Sequence, residues 1–389
     1  MITREEIRQL AQVESPSGCA VSFYFQPETP QNKSHREEAI LVKDLVRETL
    51  RRNERNGSHA TLREDLAKVL QVAEGLHGNH SRGKVIFACR EQGIWRELDV
   101  PPRLGRSRIA VSSRFHLRPL VEAHAGVPRT CIALVNRKRS RIFELHEAEI
   151  TQRPDLEFGP SPHVPRSDGY QGYDAGHRER HVEKQVSQHF KMFAESLLSL
   201  YNRERFDALL IGCQDENWPE IEPHLNTNLK QRLRGRFPVD VAAATADEIH
   251  QQANRILFQD MITLQRDLVR EVIGEAQRNA RGALGLRRVL NALERQEVQT
   301  LLIGRDFRAE AVECGNCRHL DTRMVKSCAV CGQETREMSD VSDSLVDLAL
   351  RNGADIHFVD GDPELEKAGR LGALLRFRAD QNSAERMAV

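Results

Sequence analysis

Four cysteines crowd between positions 314 and 331 of this 389-residue chain, as Cys314-x-x-Cys317 and Cys328-x-x-Cys331 with ten residues between the pairs. Two such pairs offer four thiolates, the number a tetrahedral zinc site takes. Gly332 follows the second pair directly and suits a tight knuckle in which backbone amides point at sulfur. Disulfides are rare in a reducing cytosol, and a redox CxxC does not come doubled. The spacing therefore predicts a structural zinc ribbon, with bound iron or a metal-free remnant as the alternatives. Four protein ligands leave no open coordination place for catalysis. The other cysteines, Cys19, Cys89, Cys131 and Cys213, lie mostly in or beside apolar runs and read as small buried hydrophobes.

A second kind of chemistry lies in three basic segments. Arg137-Lys138-Arg139-Ser140-Arg141 places four cations in five residues with no acid among them, and an exposed turn of that composition contacts phosphates. The stretch from Asp168 to His177 combines glycines with Tyr170, Gln171 and Tyr173, and Arg178 and Arg180 follow it. Free backbone, aromatic stackers and cations suit contact with single-stranded or folded RNA. No Lys-Ser or Lys-Thr follows the glycines, so it is not a phosphate-cradling loop. His177 and His181 stand four apart, but no acid-rich third ligand accompanies them. Lys33 and Ser34, with Arg36 on the helix that follows, form a smaller patch. For each of these segments an ordinary solvated surface is the plain alternative. No Ser-His-Asp, HExxH or Walker pattern occurs.

The elements that must position these residues alternate between strand and helix. AVSFYF (20–25) reads as a strand, followed by helices from about 36 and 61 and by strands at VIFAC and IWRELDV. TCIALV and RIFEL read as a hairpin joined by the basic segment. Val182, Val186, Phe190, Phe193, Leu197 and Tyr201 recur at helical spacing. The strand DALLIGC and a helix after Trp218 continue the alternation. Helix GLRRVLNALERQ, strand TLLIG, helix SDSLVDLALRNG and strand ADIHFVD close the chain around the cysteine insert. Alternation of this kind predicts layered α/β (α+β) units, and the punctuation divides them at 1–127, 128–271 and 272–389. The Gly-rich loop is expected over 158–178 and the zinc ribbon over 312–334. With 57 basic and 57 acidic side chains the formal net charge is zero, which argues against gripping nucleic acid over the whole surface. Local patches must carry any RNA contact. A 39% hydrophobic content is enough for globular domains, and no run approaches the ~20 apolar residues of a membrane span. The opening MITREEIRQL is charged where a signal peptide is apolar, so a cytoplasmic protein is expected.

Taken together, these segments resemble the archaeal and eukaryotic class-I peptide-chain release factors and their relative Pelota, over nearly the whole chain. AVSFYFQPETPQNKSHREEAI is similar to the N-terminal decoding region. FHLRPLVEAHAGVPRTCIALV looks like the junction into the central domain. GLRRVLNALERQEVQTLLIGRDFR, the paired CxxC motifs, GADIHFVD and GRLGALLRF look like the third domain. The resemblance implies three α/β domains in a tRNA-like arrangement: a decoding-region-like domain, an RNase H-like centre, and an L7Ae-like third domain carrying the ribbon. It also implies work at the 70S ribosome against 16S and 23S rRNA, with Lys33, Ser34, Arg36, Arg137, Lys138, Arg139, Tyr170, Gln171, His177, Arg178 and Arg180 as RNA contacts. A translational GTPase, such as the elongation factor that delivers tRNA, is the implied partner. A monomer off the ribosome is expected, with neither DNA nor membrane as a partner.

The chain departs from that family at its reactive tip. The family presents Gly-Gly-Gln to the peptidyl-transferase centre, where it positions water on the peptidyl-tRNA ester. Here the matching residues are Gly169-Tyr170-Gln171-Gly172, and Gly-Gly-Gln occurs nowhere in the 389 residues. Tyrosine does not freely adopt the positive φ open to glycine, and its ring would crowd the space of the attacking water. The decoding motif Asn-Ile-Lys-Ser is also incomplete at Asn32-Lys33-Ser34. These departures imply an A-site occupant without the chemistry, similar to the Balon-type bacterial hibernation factors and related to stress and translation control. The alternative is a peptidyl-tRNA hydrolase or rescue factor in which Gln171 still orients water.

Overall fold

A computed structural model describes residues 2–26, 35–53, 59–74, 83–100, 106–124, 128–146, 149–154 and 175–378. Two compact units result: Met1–Ala125 together with Gln265–Val389, and Gly126–Leu264.

In the first unit, α1 (Arg4–Ala11) starts at a capping box. The Thr3 hydroxyl accepts the Glu6 N–H at 3.2 Å and the Glu6 carboxylate accepts the Thr3 N–H at 2.7 Å, satisfying two orphan donors of the first turn. The predicted strand is β1 (Ala20–Phe25), buried at all six positions because both faces of its sheet are covered. With β2 (Gly83–Cys89), β3 (Ile94–Val100) and β4 (Arg108–Ser112) it forms an antiparallel sheet of order β3-β2-β1-β4. Side chains alternate across such a sheet. Val21, Phe23 and Phe25 therefore pack with Val42 and Val46 of α2 (His35–Asn53) and Leu62, Leu66 and Val69 of α3 (His59–Glu74). Ala20, Tyr24, Val85 and Phe87 take the other face, with Leu120 of α4 (Arg118–His124).

The second unit holds β5 (Thr130–Val135), β6 (Ser140–His146) and β7 (Glu149–Gln152), then α5 (Ala175–Glu204), β8 (Ala208–Gly212), α6 (Trp218–Ile221), α7 (Thr227–Arg232), β9 (Leu233–Phe237) and the first part of α8 (Ala246–Gln277), whose residues from Gln265 onward belong to the first unit. Its sheet has the order β7-β6-β5-β8-β9, antiparallel from β7 to β5 and parallel from β5 to β9. The apolar stripe Val186, Phe190, Phe193 and Leu197 of α5 covers one face, against Ala133, Val135, Leu209 and Ile211. Ile249 and Ala253 of α8 cover the other, against Ile132, Leu134, Phe143 and Leu210.

Two sequence readings change here. Ser140 and Arg141 belong to β6 rather than to the hairpin tip: Ser140 is fully buried, and the Arg141 guanidinium lies 4.9 Å from the Phe143 ring and donates to the carbonyls of Val241 and Ala244. The turn is thus only Asn136–Arg139. The expected boundary at 271/272 falls inside α8, which has no proline to interrupt its 32 residues. Its last turns, which are part of the first unit, bury Val269 and Val272 with Leu302, Val359 and Leu374 of that same unit.

The C-terminal part of the first unit contains β10 (Gly282–Leu284), α9 (Leu286–Glu294), β11 (Val298–Gly304), β12 (Ala311–Cys314), β13 (Leu320–Asp321), β14 (Thr335–Met338), α10 (Ser342–Arg351), β15 (Asp355–Val359), α11 (Pro363–Lys367) and β16 (Leu371–Leu375). Its main sheet runs β10-β16-β11-β15, with β11 and β15 parallel. A small antiparallel sheet, β13-β12-β14, carries the cysteines. Gly282 passes so close to α8 that a Cβ there would lie 2.4 Å from the Val272 carbonyl oxygen.

The segments expected as first and third domains share one core. Ile7 and Leu10 of α1, with Phe115, Leu117 and Leu120, join Leu345, Val346 and Ala349 of α10 in a single buried cluster. Charged contacts surround it. Arg114 donates to Glu14 and, at 3.0 Å, to Asp347; the largely buried Arg118 reaches Ser342 and, at 3.0 Å, the carbonyl of Arg305; Arg305 pairs with Glu122 at 2.7 Å.

Candidate metal centre and RNA-facing surfaces

The ribbon folds its two CxxC loops into a matched pair. In the first, the amides of Asn316 and Cys317 point at Cys314 Sγ (3.4 and 3.5 Å); in the second, the Val330 amide points at Cys328 Sγ (3.4 Å). The residue after each loop lies in the left-handed region, Arg318 at φ +63° and Gly332 at φ +73°. That turn lets Arg318 N–H return to the Cys314 carbonyl (3.1 Å) and Gly332 N–H to that of Cys328 (2.9 Å). The glycine identified in the sequence has the expected role; its counterpart is an arginine, which sequence reasoning did not find because only glycine advertises positive φ.

These turns gather all four sulfurs within 4.8 Å of one another. Cys314 and Cys331 Sγ stand 3.4 Å apart, and Cys317 and Cys328 Sγ 3.5 Å. Sulfurs at about 2.3 Å from a tetrahedral zinc lie about 3.8 Å from each other, so the donor set fits such an ion. The surroundings treat the thiols unequally. The Gln333 amide, and then the Cys314 thiol, hold Cys331 down at about 6. The His319 amide pulls on Cys317, but burial and the neighbouring thiols outweigh it and push that thiol up to about 12. Without a cation four thiolates in so small a space repel, and a dication removes that conflict. The ribbon is fastened to α9 by Glu294, whose carboxylate accepts from His319 Nδ1 at 2.6 Å and from the Leu320 amide at 3.3 Å.

In the second unit the basic turn is well made. Asn136 Oδ1 accepts the amides of Lys138 and Arg139, both at 2.8 Å, and the Asn136 amide donates to the Arg139 carbonyl at 2.9 Å. His189 of α5 meets the Asn136 carbonyl at 3.1 Å, and burial lowers its pKa so that it sits there neutral. The three cations differ. Arg137 pairs with Glu220 of α6, whereas the exposed Lys138 and Arg139 have no acidic partner among the described residues. The far end of the sheet carries a cluster with no sequence signal, because its members lie up to 75 residues apart. Arg129 and Arg153 both bridge Glu144 and Glu204 at 2.8 to 3.2 Å. Contact with the Glu144 carboxyl, and then the arginines, hold Glu204 well down, at about 2, while burial and the Glu204 contact push Glu144 up, so the two carboxyls titrate as an unequal pair.

Lys33, Ser34, Tyr170 and Gln171 lie outside the described residues, as does the loop 158–174. Arg36 lies in α2, and His177, Arg178 and Arg180 lie in the first turns of α5. No helix among the described residues is long and apolar enough to cross a membrane.

Comparison with known proteins shows what these segments are similar to. Residues 116–257 match the family described as Bacterial archaeo-eukaryotic release factor family 10. Peptide chain release factor subunit 1 of Archaeoglobus fulgidus is 24% identical over 321 residues, 77% of this chain and 77% of that protein. Its namesake from Thermococcus onnurineus is 24% identical over 310 residues, 72% of this chain and 74% of the other. Among solved structures, an archaeal translation termination factor aligns over 97% of this chain and 99% of its own at 17% identity and TM-score 0.25. Pelota of Archaeoglobus fulgidus aligns over 97% and 93% at 13% identity and TM-score 0.35. Residues 116–257 thus carry the match to this bacterial release-factor family, and the archaeal release factors are similar to the chain over about three-quarters of its length.

Proposed function

We propose that this protein is a ribosome-binding factor that occupies the A site without releasing the nascent peptide, and so inhibits translation or holds ribosomes in hibernation. The observation that carries the reading is Gly169-Tyr170-Gln171-Gly172, where the superfamily resemblance implies Gly-Gly-Gln. A tyrosine ahead of the glutamine fills with a phenol ring the space that a hydrolytic water needs, and it resists the left-handed backbone that glycine permits. The protein is then a steric plug rather than an enzyme.

Its contacts follow from charge and place in the chain. Lys33, Ser34 and Arg36 face the decoding centre, and Tyr170, Gln171, His177, Arg178 and Arg180 approach the peptidyl-transferase centre. Lys138 and Arg139 support the RNA-contact role of the basic turn, because neither is neutralised by a neighbouring acid among the described residues. Arg137 contributes less, its charge being shared with Glu220. Cys314, Cys317, Cys328 and Cys331 would hold a structural zinc ion, which supplies no chemistry beyond binding the two loops together. A translational GTPase would act at the third domain.

The test is a release assay on ribosomes carrying peptidyl-tRNA, paired with co-sedimentation. Binding without release is expected. Robust peptide release that Gln171→Ala abolishes would overturn this reading in favour of a hydrolase or rescue factor. Failure to co-sediment at low salt, where phosphate contacts are strongest, would overturn any ribosomal role.

A further inference from the structure

Helix α9 stands as a ridge between two clefts. One, of about 260 Å³, is lined by Asn279, Arg288, Asn291, Arg295 and Arg378. The other, of about 240 Å³, is lined by Arg287, Asn291, His319 and Arg323 together with Asp321, whose carboxylate is taken up by Arg323. The buried face of the helix is Val289, Leu290, Ala292 and Leu293; the outward face is Arg287, Arg288, Asn291, Glu294 and Arg295. Glu294 is already committed to His319. Arg287, Arg288 and Arg295 have no acidic partner among the described residues. They are unusual in this respect, since most arginines nearby are paired: Arg278 and Arg281 with Glu275, Arg323 with Asp321, Arg318 with Glu313. Arg378 is held beside them by the Asn279 carbonyl and side-chain oxygens. Glu297, the one carboxylate lining the first cleft, is buried.

We propose that this ridge is a binding surface for folded RNA, with the phosphate backbones of a helical segment straddling α9 and lying in the two clefts. The inference rests on the reading that the protein works at the ribosome, and it extends that reading to a face remote in sequence from every basic segment the chain advertises. The geometry favours RNA over an acidic protein. Arg287 opens to one side of the helix and Arg288 with Arg295 to the other, a division that matches two anionic strands and not one compact patch. The RNA minor groove is wide and shallow, displays 2′-hydroxyls, and takes a protruding ridge that the deep major groove excludes. Asn291 borders both clefts and offers its carboxamide at the centre, where 2′-hydroxyls would lie. Arg288 and Arg295 are seven residues apart, about 10 Å along the helix, a reach that spans more than one phosphate.

The test uses the full-length chain, wild type and Arg287→Gln/Arg288→Gln/Arg295→Gln, binding purified ribosomes and protein-free ribosomal RNA at several salt concentrations. The three side chains are exposed, so thermal melting serves as the check that the variant folds. Each lost phosphate contact lowers the slope of log affinity against log salt by roughly 0.7–0.9. The expected result is a slope reduced by about two on both substrates, with binding weakened at least tenfold at physiological salt. A folded variant with wild-type slope and affinity on ribosomes that the wild type binds overturns the ridge and leaves the A-site reading intact. A wild type that ignores ribosomes but binds ribosomal RNA through these arginines overturns the A-site reading and leaves the ridge. Competition by an acidic peptide as effective as RNA of equal charge overturns the choice of RNA.

Discussion

Asp347 provides a test of whether the N- and C-terminal segments share a core as described. It sits on α10 with one oxygen, Oδ2, accepting from Arg114 at 3.0 Å, while the other, Oδ1, is buried with no hydrogen-bond partner. Glu14, accepting from both Arg114 and Arg351 at 2.9 Å, draws on the same cations. Burial therefore outweighs the arginines and pushes the Asp347 carboxyl from an ordinary 3.8 up to about 6. A carboxyl that titrates higher in the folded protein contributes stability that is full below about pH 3.8 and lost as the pH rises through about 6. The whole effect is about 3 kcal/mol, of which about 1.4 kcal/mol is lost between pH 5 and pH 7.5. Asp347→Asn removes the titration while keeping the shape. The variant should gain on the wild type by that 1.4 kcal/mol as the pH is raised from 5 to 7.5, a relative shift of about 4 °C in melting temperature for a unit of this size. Calorimetric melting of both proteins at the two pH values measures it. Burial also lowers the pKa of His116, which contacts Asp343 at 3.2 Å and so loses stability towards low pH, but that contribution is common to both proteins and cancels in the comparison. A gap between variant and wild type that stays constant across this range would refute the buried, half-satisfied carboxylate and with it the packing of α10 against the N-terminal segment.

Three further outcomes are expected. Cys331→Ser should lower the metal content of the purified protein from one ion per chain and abolish cooperative folding of the ribbon, read by elemental analysis and by hydrogen exchange of residues 311–338. Gly282→Ala should destabilise by about 2–4 kcal/mol, because a methyl group 2.4 Å from a helix carbonyl forces β10 and α8 apart; chemical denaturation measures the loss. Lys138→Gln with Arg139→Gln should lower the salt slope of ribosome binding by roughly 1.5, whereas Arg137→Gln should lower it by less, since Glu220 already partners that guanidinium.

Much of this molecule is written locally. The strand AVSFYF, the α5 stripe from Val186 to Tyr201 and the CxxC loops all appear where their periodicity or spacing places them, because each is decided by neighbours a few residues away. The extent of the basic turn was less legible: arginines look alike in sequence, and only the register of β6 assigns Arg141 to the sheet and leaves Lys138 and Arg139 outside. The unbroken course of α8 past residue 271 was missed because a helix with mixed composition shows no punctuation at the point where its packing changes. Arg318, which closes the first cysteine loop with a left-handed turn, left no signal at all.

The sequence by itself determined that four cysteine sulfurs would be brought together on two short loops and that Tyr170 would stand before Gln171 where the resemblance implies a glycine; both are matters of residue identity and spacing. Tertiary structure alone decided which charges are free. Arg137 is quenched by Glu220 and Arg323 by Asp321, while Arg287, Arg288 and Arg295 have no acidic partner among the described residues, and Asp347 is held by Arg114 from a distant segment. Ion pairing and desolvation depend on distances of a few ångströms between residues that may stand hundreds of positions apart, and only the folded chain sets those distances.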